Sequence, residues 1–121
     1  MIAIASDHGG FEYKKLIIQH LEDRGIACKD FGTDSQESCD YPDFAIPVAK
    51  AVAAGEYECG ILICGTGIGV SIAANKVRGV YAAEINNIYQ AERAQLSNKA
   101  NVITLGAQVV GIELAKCLVK E

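Results

Sequence analysis

The chain has 121 residues, half of them hydrophobic, with 11 basic against 15 acidic side chains and a net charge of -4. That length suits one domain, residues 1–121, able to bury roughly two thirds of its unfolded surface. The lack of a basic run excludes the electrostatic footprint of a nucleic-acid binder or an anionic-membrane binder, so the expected partner is a small molecule.

Residues 1–5 read as a first buried strand, without the basic segment or long apolar core of a leader, and no apolar run approaches the ~20 residues that span a membrane. Ser6-Asp7-His8-Gly9-Gly10 closes that strand, its glycines allowing a sharp turn into a helix. Tyr13, Leu16, Ile17 and Leu21 recur there at helical spacing, and Gly25 stops it. Residues 26–31 make a weaker strand. A polar loop from Gly32 to Asp40 ends in Asp40-Tyr41-Pro42-Asp43, and the helix after it shows an apolar face of Phe44, Ala45, Val48, Ala49 and Val52. Pro47 falls late for a first turn, so an irregular start or a kink is expected there.

The third strand is the run Ile61-Leu62-Ile63-Cys64, which breaks into Gly65-Thr66-Gly67-Ile68-Gly69-Val70 and opens a helix to about Lys76. Small residues Ser71, Ala73 and Ala74 suit that helix to close packing on the sheet. Val80–Ala83 reads as a fourth strand, Tyr89–Leu96 as a helix, Asn101–Leu105 as a fifth strand. Gly106 then turns into a last amphipathic helix with Val109, Val110, Leu114 and Leu118. Strands alternating with helices throughout predict an α/β fold: a Rossmann-like three-layer sandwich, with a five-stranded parallel sheet between helices on both faces. Ligands of such sheets bind at the carboxyl ends of the strands. Asp7, His8, Tyr41 and Cys64 to Gly69 all fall on loops there.

Gly65-x-Gly67-x-Gly69 is neither the dinucleotide fingerprint nor a Walker loop, which leaves a plain tight turn or an anion hole of backbone amides at Gly65, Gly67, Ile68 and Gly69. Cys64 and Thr66 favour the second. A buried cysteine is often an inert small hydrophobe, but a thiol near a helix amino terminus ionises more readily, and Thr66 is placed to hydrogen-bond it. The other cysteines, at 28, 39, 59 and 117, lack such surroundings and read as packing or loop residues. No Cys-x-x-Cys or Cys/His cluster exists among the five, so neither a metal site nor a disulfide framework is expected, and reduced thiols in the cytoplasm are the simpler reading. Asp7-His8 is either an acid/base or oxygen-binding pair or a polar helix entry. Tyr41 either lines the site or packs at a loop end, and His20 reads as boundary structure.

Ser-Asp-His-Gly-Gly at 6–10, Asp-Phe-Gly-Thr at 30–33, Asp-Tyr-Pro at 40–42, the fourteen residues Ile63 to Lys76 and Ala-Asn-Val-Ile at 100–103 resemble type B ribose-5-phosphate isomerase. That family also holds the subunits of galactose-6-phosphate isomerase. The resemblance implies aldose-ketose isomerisation of a sugar phosphate by a 1,2-proton shift through a cis-enediolate, with no metal and no cofactor. Cys64 would be the base and Thr66 would relay or steady its proton. The amides of Gly65, Gly67, Ile68 and Gly69 would stabilise the enediolate. Asp7 would bind sugar hydroxyls, His8 would approach the phosphate, Tyr41 would line the pocket, and Asn98 would lie beside the sugar. Sites between two subunits imply a homodimer or dimer of dimers, or a hetero-oligomer.

Three features depart from the family. Ser97-Asn98 stands where ribose-phosphate isomerases carry His-Asn, whose histidine opens the sugar ring. Gln108 stands where a phosphate-binding arginine is expected, and the family's arginine-bearing tail lies beyond Glu121. These departures leave three alternatives open: a galactose-6-phosphate isomerase subunit, an isomerase of another aldose, or a non-catalytic sugar- or anion-binding homologue. A nucleotide-binding module rests on fold alone.

Overall fold

The computed structural model describes residues 1–32, 42–97 and 99–119. In chain order they form β1 (Ile2–Ser6), a single 3-10 turn (His8–Gly10), α1 (Phe11–Asp23), β2 (Cys28–Asp30), α2 (Pro42–Ala53) and β3 (Cys59–Cys64). There follow α3 (Ile68–Asn75), β4 (Ala82–Glu84), α4 (Ile88–Leu96), β5 (Val102–Gly106) and α5 (Ile112–Leu118). All five strands are parallel, in the order β2-β1-β3-β5-β4. The chain works outward from β1 on one side, then returns across it to β3, so the sheet's topological switch lies between β1 and β3.

Alternating side chains give the sheet two apolar faces. One, with Ala3, Ala5, Leu62, Cys64 and Val102, packs against Ala45, Val48 and Ala49 of α2 and Val70, Ala73 and Ala74 of α3. Small residues bring those helices close: a Cβ on Gly60 would stand 2.9 Å from Val48 Cγ1. The other face, with Ile4, Ile61, Ile63 and Leu105, packs against Ile17 and Leu21 of α1, Ala91 and Ala94 of α4, and Ala115 and Leu118 of α5. Among the described residues no helix is long and apolar enough to cross a membrane.

Boundaries differ from the sequence expectation where side chains intervene. β4 begins at Ala82, two residues later than expected, because Asn75 Nδ2 donates to the Ala82 carbonyl (3.0 Å) and Asn75 Oδ1 accepts from Ala82 N–H (2.8 Å). Asn101 Oδ1 likewise takes the Tyr81 N–H (2.9 Å), so β5 starts only at Val102 and runs on to Gly106, which pairs with Cys64. β2 is reduced to three residues at the sheet's edge. At Pro47 the expected kink does not break the helix: α2 runs unbroken from Pro42 to Ala53. Pro47 is exposed, and the bond it forgoes is the one to Asp43, at the very start of the helix.

Candidate active site

Three loops meet above the carboxyl ends of β1, β3 and β5. After β1, the Asp7 N–H donates to the Ile63 carbonyl (3.1 Å), and Asp7 Oδ1 accepts from Gly9 N–H (2.9 Å) and Gly10 N–H (3.2 Å). The aspartate thus caps the short turn that carries His8, which is half-buried. Gly10 is required by contact, since a Cβ there would lie 2.6 Å from Ile63 Cγ2.

After β3, the Cys64 carbonyl accepts from Ala107 N–H (2.8 Å) and the Gly65 carbonyl accepts from Gln108 N–H (2.9 Å). In a trans peptide the carbonyl and the following N–H point in opposite directions. These two bonds therefore turn the Gly65 and Thr66 N–H groups away from the β5 loop. A Cβ built on Gly9 would stand 3.8 Å from the Gly65 nitrogen, which puts that amide beside the loop bearing Asp7 and His8. The Gln108 side chain walls the opposite side, with its Cδ 3.6 Å from where a Gly65 Cβ would be.

Cys64 Sγ lies under this shelf, on a residue only 5% exposed. Gly67 N–H donates to it at 3.1 Å. Gly67 also caps α3 with φ of +81°, a left-handed conformation that glycine adopts without strain. Amide and helix end together set positive potential at the sulfur.

Two details of the sequence expectation are corrected. Thr66 does not hydrogen-bond the thiol: its exposed Oγ1 accepts from Ile68 N–H (3.2 Å), and the backbone amide of Gly67 reaches the sulfur instead. Of the amides expected to hold an anion, those of Gly67 and Ile68 are already engaged within the loop. Gly69 lies in the first turn of α3, where an N–H has no intrahelical acceptor, and Gly65 and Thr66 present theirs outward. Thr66 therefore enters as an amide.

The structure brings Asp7, His8, Cys64, Thr66 and the Gly65–Gly69 loop together. It does not bring Ser97 to them. Ser97 ends α4, its N–H donating to the Arg93 carbonyl (2.9 Å) and its Oγ meeting Arg93 Nη1 (3.2 Å). Four residues on, the Asn101 carbonyl accepts from Gly60 N–H (3.0 Å), so Ser97 stands at the amino ends of β3 and β5, the opposite end of the sheet from Cys64. Tyr41 and Asn98 lie outside the described residues. Gly106, expected as a plain turn, and Thr104, expected as a residue of the fifth strand, also shape the loop from β5, a role that local pattern does not show.

The remaining described cysteines have no such setting. None is disulfide-bonded, and burial pushes the thiols of Cys28 and Cys59 up, with Glu22 and Glu58 respectively adding to the effect. Cys59 borders an apolar cavity of about 120 Å³ with Ile2, Ile61, Ile103 and Leu118. That cavity lies at the amino ends of the strands, without the convergent polar groups of the Cys64 shelf. Among the described residues no three His, Cys, Asp or Glu side chains are grouped as metal ligands.

Residues 2–121 match the ribose/galactose isomerase family. Over 118 residues the chain is 50% identical to ribose-5-phosphate isomerase B of Escherichia coli (strain K12), covering 98% of this chain and 79% of that relative. Ribose-5-phosphate isomerase B of Clostridium thermocellum superposes with a TM-score of 0.96 at 51% identity, covering 98% of this chain and 80% of that one. Ribose-5-phosphate isomerase B of Mycoplasma genitalium with bound ribulose 5-phosphate does so with a TM-score of 0.94 at 41% identity, over 98% and 80% of the two chains.

Proposed function

Because this chain belongs to the ribose/galactose isomerase family, we propose that it is an aldose-ketose isomerase of a sugar phosphate, converting ribose 5-phosphate to ribulose 5-phosphate. The observation that carries this reading is the Cys64 sulfur, held by the Gly67 N–H at 3.1 Å beneath a shelf of outward-facing amides. In the open-chain aldose the Cys64 thiolate takes the proton from C2, the carbonyl electrons move onto O1, and a cis-enediolate forms. The same sulfur returns the proton to C1 as the O2 hydroxyl proton passes to O1, which leaves the ketose. The Gly65, Thr66 and Gly69 amides hold the enediolate oxygen as charge develops on it. In acyl-transfer enzymes each such donor is worth roughly 3–4 kcal/mol.

Asp7 spends Oδ1 on its own turn, which leaves Oδ2 for a sugar hydroxyl; His8, the next residue, would approach the phosphate. Ser97 reaches a substrate only if a second copy of the chain brings it, since it is at the far end of its own sheet. Exposed apolar side chains on α3 (Ile68, Ile72) and α4 (Ile88, Tyr89, Leu96) suit such a homodimer or dimer of dimers. A reducing cytoplasm suits a thiol base.

The test is turnover by the purified protein of ribose 5-phosphate, allose 6-phosphate, galactose 6-phosphate and the unphosphorylated sugars, beside Cys64→Ala. Ribose 5-phosphate should be preferred, and Cys64→Ala should lose essentially all turnover. Preference for galactose 6-phosphate would reassign the substrate, undiminished Cys64→Ala would remove the base, and binding without turnover would make the protein a sugar-binding homologue.

A further inference from the structure

The described core holds three buried polar side chains, those of Ser6, Lys14 and Thr104. Lys14 is paired with Asp30 (2.8 Å), far from the thiol in the hydrogen-bond network. Thr104 is different. It sits in the middle of β5 with no exposure, on the face shared with Leu62 and Cys64, where valine would fill the same volume. Its Oγ1 donates to the Gly67 carbonyl at 3.0 Å, across 37 residues of sequence. Gly67 is the residue whose N–H holds Cys64 Sγ.

We propose that Thr104 is a positioning residue for the thiol: through its hydroxyl it holds Gly67 in the orientation that aims the Gly67 N–H at Cys64 Sγ. The deduction rests on Cys64 being the reactive group of the reading above, and its physics is local. Gly67, with φ of +81° and no side chain, depends on hydrogen bonds and on close backbone contact to fix its peptide planes. Its carbonyl is buried, so an unmade bond there is costly, and Thr104 supplies the donor. On the other side, backbone atoms of Leu105 and Gly106 would stand 3.0 Å from a Gly67 Cβ, which stops retreat toward β5. Anchored at its carbonyl and blocked behind, Gly67 can hold its N–H on the sulfur through both protonation states of the catalytic cycle. Thr104 touches no substrate.

Thr104→Val removes the hydroxyl at constant volume; Thr104→Ser keeps the hydroxyl and removes the methyl. Alkylation of Cys64 by iodoacetamide at constant pH, followed on the Cys64 peptide by mass spectrometry, reports the thiol without any substrate, and kcat and KM follow on the best sugar phosphate. In Thr104→Val the alkylation rate and kcat should each fall about three- to tenfold, the worth of one hydrogen bond, with KM unchanged. Thr104→Ser should restore both to within about twofold even if its melting temperature drops. Equal losses in Val and Ser variants would make the residue a packing element, and a Val variant with wild-type alkylation would overturn the proposal. If alkylation falls as expected while no sugar phosphate is turned over by the wild type, the isomerase reading fails and the positioning role stands.

Discussion

Gly106→Ala tests how the β5 loop shapes the shelf. A Cβ at 106 would lie 2.5 Å from both the Thr66 carbonyl carbon and its oxygen and 2.9 Å from Thr66 Cα. These are backbone atoms, so no rotamer change relieves the contact; to regain ordinary separation Thr66 must retreat by roughly 1 Å. Overpacking of this kind costs about 1–3 kcal/mol, and the upper half of that range is expected because the obstacle is main chain. The retreat moves the Thr66–Gly67 peptide, and with it the N–H now 3.1 Å from Cys64 Sγ and the outward Thr66 amide. Misplacement by about 1 Å at a reacting centre lowers turnover by about a hundredfold. Urea unfolding and kcat on the same preparation read the two effects separately. Retention of both wild-type stability and wild-type kcat would refute the close approach of the two loops on which the site's geometry depends.

Two further perturbations probe the scaffold. The Tyr13 hydroxyl donates to the Val110 carbonyl at 2.7 Å, and burial pushes its pKa up to about 12. An unfolded tyrosine titrates near 10, so it releases its proton first as pH rises: this contribution is complete below about pH 10 and is lost progressively toward pH 12. Urea midpoints across that window should fall more steeply for the wild type than for Tyr13→Phe, and identical slopes would defeat the assignment. Asn75→Ala removes both side-chain bonds that start β4, at 2.8 and 3.0 Å, and should cost about 1–2 kcal/mol by urea titration. An unchanged midpoint would mean that the edge strand starts without the clamp.

Much of the site was legible in the sequence because its chemistry is local. An apolar run ending in Cys64 and alternating glycines specifies strand, turn and helix start within ten residues, and backbone amides gather wherever a helix begins. The Asp7 turn is local too, with both of its side-chain bonds spanning three residues or fewer. What was misread inside the same loop was the division of labour: side-chain type suggested a hydroxyl on the thiol, whereas the backbone amide of Gly67 bonds it.

The sequence by itself determined an α/β alternation, two amphipathic helix layers, and a thiol beside a glycine loop at a strand's carboxyl end, since periodicity and turn chemistry act over a few residues. Only the tertiary structure decided that β5 inserts between β3 and β4, a choice governed by long-range pairing that no local pattern encodes. That insertion sets Gly106 beside Cys64, and it ties the Gly65 carbonyl to Gln108 so that the amides face outward. It also places Thr104 under Gly67 and sends Ser97 to the far end of the sheet.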